Sequence, residues 1–366
     1  DRSSAASDVY KRQLLSVMRQ DMPVGSVVCL VLDDSSDEGW ASALASDPQS
    51  LPLMMVATGR LGSPAQARNA LLDLVDVHFP KARWVARLDA DDELAEPGSL
   101  RAMVEAGERN DSLYVIGGNR LRLNGEIIPL VNRAIEPTLK DRDRLLSFID
   151  DFCHQRAANE LPSCNLLLRT RCGIRYLGAP SAEDHWLVAG LLMHRPDRGA
   201  VVSPPLYSVY ALNGLATQGN QRSQAWLQTR RLLAQAAHVW HGVHARGEHL
   251  LGWGQEGVVV RTPAGVIKRF YPCAIDPAEL HRIASRVSRT SGAIVRFEVM
   301  DDAPETTCIR IDDIVLRPVS GQIADQVMEQ FLVRLYRARV VPSNIKRDNL
   351  MVGPGGELVY VCLLYT

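Results

Sequence analysis

The feature that most limits the fold of this chain is a repeated pairing of an apolar run with the carboxylates that end it. SVVCLVLDD (26–34) and RWVARLDADDEL (83–94) read as buried strands running into aspartates, and PLMMVA (52–57) and SLYVIGG (112–118) as further strands. Apolar runs of this length, separated by helix-like amphipathic segments, describe an α/β domain with a largely parallel sheet. SPAQARNALLDLV (63–75) is one such helix, with Ser63 placed to cap it and Pro64 at its first position. SAEDHWLVAGLLMH (181–194) is another, its acidic first turn suited to the positive end of the helix dipole. Between them RLRLNGEIIPL (120–130) carries Asn124-Gly125, a strong hairpin signal.

Beyond Pro204-Pro205 the pattern changes. Arg222 to about Leu250 is a helical stretch rich in Ala, Leu, Gln and Arg. The segments 251–260, 265–270, 293–300, 307–311 and 314–319 then read as short strands of an antiparallel sheet, with one helix, Pro277–Val287, among them. A helix over Ile323–Arg339 leads to a hairpin at 349–361. The expected division is therefore an α/β domain at 14–212, a helical connector at 213–250 and an α+β domain at 251–361. Residues 1–13 and 362–366 read as non-native flanking sequence, which makes the chain a fragment.

Composition narrows the function. With 41 Lys+Arg against 42 Asp+Glu in 366 residues, there is no general electrostatic case for nucleic acid as the partner. The longest apolar runs, Val27–Leu32 and Leu51–Ala57, are far shorter than the roughly 18 residues of a membrane span, so any membrane association is expected to be peripheral. Seven cysteines without CxxC spacing argue against a disulfide framework and a zinc ribbon, and fit reduced thiols in the cytoplasm.

Open α/β sheets bind ligands beyond the carboxyl ends of their strands, where this chain places Asp33-Asp34 and Asp89-Ala90-Asp91-Asp92. Three aspartates in four residues repel one another unless a cation or hydrogen-bond donors are present, so LDADDEL is a natural seat for Mg²⁺ or Mn²⁺. The plain alternative is a solvated acidic turn capping the next helix.

Taken in order, LLSVMRQDMPVGSVVCLVLDDSSDEG, GSPAQARNALL, RWVARLDADDEL and SAEDHWL resemble the family 2 glycosyltransferases of the GT-A fold, across nearly all of 14–212. The resemblance implies a Rossmann-like mixed sheet and transfer of a sugar from a nucleotide-diphosphate donor, a UDP-sugar first among them, to an acceptor hydroxyl with inversion. It implies that Asp34 contacts the base with Asp33 beside it, that Arg68 lies by the nucleotide, that Asp89 faces ribose or sugar, and that Asp91 ligates the metal. Asp184, within Glu183-Asp184, would take the proton of the acceptor hydroxyl; the plain reading of that pair is an acidic helix start. Trp186 suits either an acceptor platform or a buried anchor. The family's first strand, which precedes the helix at Leu14, has no counterpart here, in keeping with a truncated start.

LGWGQEGVVV followed by VIK sets Gly252, Gly254 and Gly257 ahead of Lys268, with the glycines between two strands, which favours a phosphate-covering hairpin. With PSNIKRDNLMV (342–352) and ELVYV downstream, residues 251–361 resemble a protein-kinase-like fold: N-lobe and the start of the C-lobe. The resemblance implies that Lys268 holds ATP phosphates, that Glu279 pairs with it, that VLRPVSG (315–321) is the hinge and that Asn349 ligates a metal. Asn344, two residues before Lys346, stands where the catalytic carboxylate belongs, and a neutral amide cannot serve as that base. A β-hairpin with a surface lysine is the plain alternative.

Three weaker signals accompany these. His238, His241 and His244 could share a metal, though their spacing drifts around a helix and no acidic partner is evident; Cys164 and Cys172 read as inert, and Arg169–Arg175 as a solvated face or a contact for diphosphate or an anionic acceptor. Two further readings of the whole stay open: an ATP-dependent phosphotransferase with a sugar-recognising α/β half, and a nucleotide-binding scaffold without catalysis.

Overall fold

The computed structural model describes residues 12–34, 53–58, 61–89, 92–123, 126–130, 136–156, 161, 163–178, 181–202, 207–211, 223–272, 274–288, 292–300, 307–311, 316–319, 323–340, 345 and 349–361. The chain divides into two compact units, Asp1–His241 and Gly242–Thr366. Among the described residues no helix is long and apolar enough to cross a membrane.

The first unit opens with helix α1 (12–18), then β1 (Cys29–Asp34), β2 (Leu53–Thr58), α2 (Pro64–His78), β3 (Trp84–Ala86), β4 (Glu93–Leu94) and α3 (Ser99–Arg109). It continues through β5 (Tyr114–Ile116), β6 (Gly118–Leu123), β7 (Glu126–Leu130), α4 (Arg142–Cys153), β8 (Leu166–Arg169), α5 (Glu183–His194), β9 (Gly199–Val201), β10 (Tyr207–Ala211) and α6 (Gln224–Ala245), whose sequence spans the unit boundary.

The ladders of this unit are mixed rather than largely parallel. β1 and β2 pair in parallel, from Cys29 opposite Leu53 to Asp34 opposite Thr58. β8 lies antiparallel between β3 and β5, and β9 adds in parallel to β5. β10 is antiparallel to β4 and parallel to β6, which pairs with β7. The mixture follows from connection length: β8 arrives only after the β6–β7 hairpin and α4, so it can enter between two earlier strands running against both.

Tyr114, Val115 and Ile116 are all buried, as a central strand requires, and Leu166, Leu167 and Leu168 face them from β8. From Trp186 to Met193 α5 is buried on every side, the state of a helix apolar all round. Trp186 is 2% exposed and stands edge-on to Trp240, ring centroids 5.8 Å apart, so it is a core anchor and not a platform for an acceptor sugar.

In the second unit β11 (His249–Trp253), β12 (Gly257–Thr262), β13 (Gly265–Phe270), β15 (Cys308–Ile311) and β14 (Phe297–Met300) form an antiparallel sheet in that spatial order. The single strand expected at 251–260 is thus the ends of two, turning at 254–256. Helix α7 (Pro277–Val287) separates β13 from β14 in sequence; Asp276 caps it, Pro277 occupies its first position, and Leu280, Ile283 and Val287 are its buried stripe. A three-stranded sheet of β16 (Arg317–Pro318), β17 (Leu350–Val352) and β18 (Leu358–Tyr360) follows, with α8 (Asp325–Arg337) before β17. Phe270, Ile309, Phe331, Leu335, Leu350 and Tyr360 join both sheets and both helices in one core.

Candidate functional site

Three elements of the first unit deliver charged side chains to one place. Ser63 caps α2, accepting the Gln66 N–H at 3.3 Å, so that Arg68 and Asn69 fall in its second turn. Just past β3 the Arg87 N–H extends the ladder to the Leu166 carbonyl at 2.9 Å, and the alternation of an extended chain puts Arg87 and Asp89 on the same side. α5 begins with Glu183 and Asp184 after Ala182, whose φ of 56° turns the chain into the helix.

Arg68 donates to Glu183 and, at 3.3 Å, to Asp89 Oδ1. Arg87 grips Asp89 with two nitrogens, Nε reaching Oδ1 at 2.9 Å and Nη2 reaching Oδ2, while Nη2 also approaches Asp184 Oδ2 at 3.5 Å. The other Asp184 oxygen accepts the His185 N–H at 2.8 Å. The Tyr176 ring underlies both guanidinium groups, 5.5 Å from Arg68 and 5.9 Å from Arg87.

Electrostatics follow from this geometry. Burial pushes the Asp184 carboxyl up, but the charges of His185, Arg87 and Arg68 outweigh it and hold the group well below the ordinary carboxylate range. Asp89 is lowered in the same way, burial being overcome by Arg87 and Arg68. Burial works against the Arg87 cation, yet Asp89, Tyr176 and Asp184 raise its pKa well above its usual value. Both aspartates are ionised at neutral pH.

The loop carrying Asp89 is fastened from α1. Gln13 Nε2 donates to the Asp89 carbonyl at 2.7 Å, Ser16 Oγ accepts the Leu94 N–H at 3.0 Å, and Gln20 accepts the Leu100 N–H at 3.0 Å while donating to the Glu96 carbonyl at 2.9 Å. Gln13 thus takes part in the packing although it lies in the segment read as non-native.

Arg68, Asp89, Glu183 and Asp184, all named from the sequence, come together. Asp33 and Asp34 end β1 opposite Ala57 and Thr58, with their side chains outside the described residues, and Asp91 lies outside them altogether. Arg87, Asn69, Tyr176 and Gln13 were missed; an arginine inside an apolar strand, two residues before an aspartate, was the available signal for Arg87.

In the second unit Lys268, on β13 opposite Val259, stands 4.7 Å from the centre of the Phe270 ring and pairs with Glu256 of the glycine turn at 3.2 Å. The expected pairing with Glu279 is not made: Glu279 meets Arg282 one turn along its own exposed helix face. Gly252 and Gly254 have open space where a Cβ would stand, whereas at Gly257 it would lie 2.1 Å from the Arg269 carbonyl oxygen. The Asn349 carbonyl accepts the Val361 N–H at 2.9 Å; Asn344 and Lys346 lie outside the described residues.

Two histidines do have acidic partners: His241 reaches Asp143 at 2.6 Å and His238 reaches Asp150 at 3.7 Å, both on α4. Among the described residues no group of three ligating side chains is placed to hold a metal ion by itself. Cys172 donates to the Arg169 carbonyl and burial raises its pKa, while Arg175 is paired with Asp73 and Asp76.

No family model and no curated protein matches the chain. Among solved structures, S. aureus TarS 1-349 aligns with a TM-score of 0.43 and 15% identity over 72% of this chain and 94% of that one. The same protein in complex with UDP aligns with a TM-score of 0.44 and 15% identity, over 74% and 97%. A mannosyltransferase, PcManGT from Pyrobaculum calidifontis in complex with GDP-Man and Mn2+, aligns with a TM-score of 0.41 and 17% identity over 66% of this chain and 61% of its own. At TM-scores this low the likenesses assign neither a site nor an activity to this chain.

Proposed function

We propose that the first unit is a metal-dependent glycosyltransferase that moves a sugar from a nucleoside-diphosphate donor, a UDP-sugar first among them, to an acceptor hydroxyl. The observation that carries this reading is the convergence of Arg68, Asp89, Glu183 and Asp184 from three separate elements, the residues that the family 2 motifs single out. A donor set made of carboxylates suits a hard cation such as Mn²⁺ or Mg²⁺, and Asp91, two residues past Asp89, would hold it. When bound, that cation would stabilise charge on the departing diphosphate as a Lewis acid.

The chain's own residues do the rest. Asp184 is ionised and takes the proton of the attacking hydroxyl, and one in-line displacement inverts the anomeric centre. Arg68, with a fifth of its side chain exposed, would exchange its bonds to Glu183 and Asp89 for the diphosphate. Asp89 faces ribose or sugar, with Asp33 and Asp34 on the base. This activity belongs to 14–212, followed by a connector at 213–250, and the cysteine pattern fits a cytoplasmic setting, with peripheral association at the inner membrane.

Calorimetric titration of the chain with UDP, GDP and dTDP, each with and without Mn²⁺, tests the reading. Mn²⁺-dependent binding of one diphosphate, abolished by Asp91→Asn, is the expected result; a folded chain that binds none of them overturns it.

For 251–361 we infer a kinase-like nucleotide site. The support is the strand order of the five-stranded sheet, with α7 between its third and fourth strands in sequence, and a glycine turn whose Glu256 holds Lys268. With an amide at Asn344, binding of ATP and Mg²⁺ is the activity proposed, not phosphoryl transfer. Heat of binding from ATP with Mg²⁺, lost in Lys268→Met, is the corresponding test.

A further inference from the structure

The two halves of the proposed chemistry, donor and acceptor, are represented by Asp89 and Asp184, which are 95 positions apart in the chain and stand on different elements. One side chain touches both. We infer that Arg87 is the positioning residue that registers Asp184 against Asp89, an inference that rests on the glycosyltransferase reading and assigns a role to a residue outside its motifs.

The geometry makes the case. Arg87 is 8% exposed in its side chain, and every guanidinium nitrogen is engaged: Nε and Nη2 on the two Asp89 oxygens, Nη1 on the Ser163 carbonyl at 2.6 Å, and Nη2 shared with Asp184 Oδ2 at 3.5 Å. Four of its five N–H donors are spent in this way and its side chain is 8% exposed against 21% for Arg68, which separates it from a residue placed to meet a diphosphate. Its backbone is fixed by the ladder to Leu166, so the fork has a rigid base. Beneath it the Tyr176 ring limits its travel on one side.

Geometry, more than charge, is what the arrangement demands. A planar fork can hold two oxygens of one carboxylate and still present an edge to a second carboxylate, whereas an ammonium is a point charge on a flexible stem. Lysine at this position would keep the cation and lose the registration. The other groups facing Asp184 are His185, Arg68, Asp89 and the Tyr176 phenol, and among the hydrogen bonds described only those of Arg87 reach both aspartates.

The test uses the whole chain with UDP-glucose and Mn²⁺, reading UDP release, beside calorimetric binding of UDP with Mn²⁺. Arg87→Lys and Arg87→Met are compared with the wild type, and melting curves establish that each is folded. The expected result is that Arg87→Lys binds UDP as the wild type does, with KM unchanged, while kcat falls about a hundredfold, the usual cost of a displacement of about 1 Å. Arg87→Met is expected to lose turnover at least as far, and if it does not fold the lysine variant decides. An Arg87→Lys enzyme with wild-type kcat overturns the positioning role and leaves the glycosyltransferase reading intact. A folded wild-type chain that binds none of UDP, GDP and dTDP with Mn²⁺ overturns both, and a chain that binds GDP or dTDP instead is put through the same comparison with the sugar nucleotide of that base.

Discussion

The carboxamide of Asn69 is paired with the backbone of Tyr176 in both directions, Nδ2 donating to its carbonyl and Oδ1 accepting its N–H, each at 2.8 Å. The pairing ties α2 to the extended segment that carries the Tyr176 ring under Arg68 and Arg87. Replacing Asn69 by Ala leaves two backbone groups of a partly buried segment without partners, a loss of about 1–3 kcal/mol. Asn69→Ala is expected to lower the denaturant midpoint of the first unit and to weaken Mn²⁺-dependent UDP binding, since Arg68 loses the floor it rests on. Urea unfolding and calorimetry on the same sample check both.

Gly252, Gly254 and Gly257 of the second unit separate by what surrounds them. At Gly257 an added Cβ would meet backbone, the Arg269 oxygen at 2.1 Å and the Phe270 Cα at 3.0 Å, in a strand pair that cannot open locally. Gly257→Ala is therefore expected to cost about 3 kcal/mol or more whatever the unit binds. Gly254 has nothing within 4 Å, so Gly254→Ala should leave stability within about 0.5 kcal/mol of the parent. If the turn covers phosphates, that same change weakens ATP binding, and an unaltered Kd argues that the turn is only a hairpin.

The Lys268–Glu256 pair makes a different prediction. Glu256 is bonded to the cation that a triphosphate needs, so the carboxylate and the nucleotide compete for it. Glu256→Gln is expected to tighten ATP binding several-fold and Glu279→Gln to leave it unchanged. Calorimetry on both variants decides, and the opposite ranking would restore Glu279 as the partner of Lys268.

What could be read from the sequence was what local physics controls. α7 lies where its cap, proline and apolar stripe put it, and α2 starts at the expected Ser63. Glu183 and Asp184 open α5, an acidic first turn visible without the structure. The helices α3 and α4 differ in what their sequences announce: α3 begins at Ser99 after Gly98, with no side-chain cap, whereas Asp141 caps α4 and is a legible start signal. β8 between β3 and β5 could not be foreseen, because insertion order depends on partners dozens of residues away. The same holds for Arg87, whose bond to Asp184 exists only once segments 97 residues apart meet, whereas Glu256 and Lys268 are twelve residues apart across one hairpin.

Among the described residues of the second unit, Glu248 is a carboxylate through which acid should act. Glu248 is 10% exposed in its side chain and is held by Arg246, at 3.1 Å to Oε1, and by Arg269, whose Nε reaches Oε2 at 3.1 Å. Burial pushes its pKa up, but the bonds and charges of Arg269 and Arg246 outweigh burial and leave it below the ordinary glutamate value. A carboxyl with a lower pKa folded than unfolded binds its proton more readily in the unfolded chain. Its contribution is therefore complete above the unfolded value of about 4.3 and is lost as pH falls through the folded one. Glu248→Gln should cost about 2 kcal/mol at pH 7, where two guanidinium groups lose a shared partner, and progressively less below about pH 4. Urea unfolding of both chains between pH 7 and pH 3 should give curves that converge toward acid; a gap that stays constant over that range would show that Glu248 acts through packing and not through its charge.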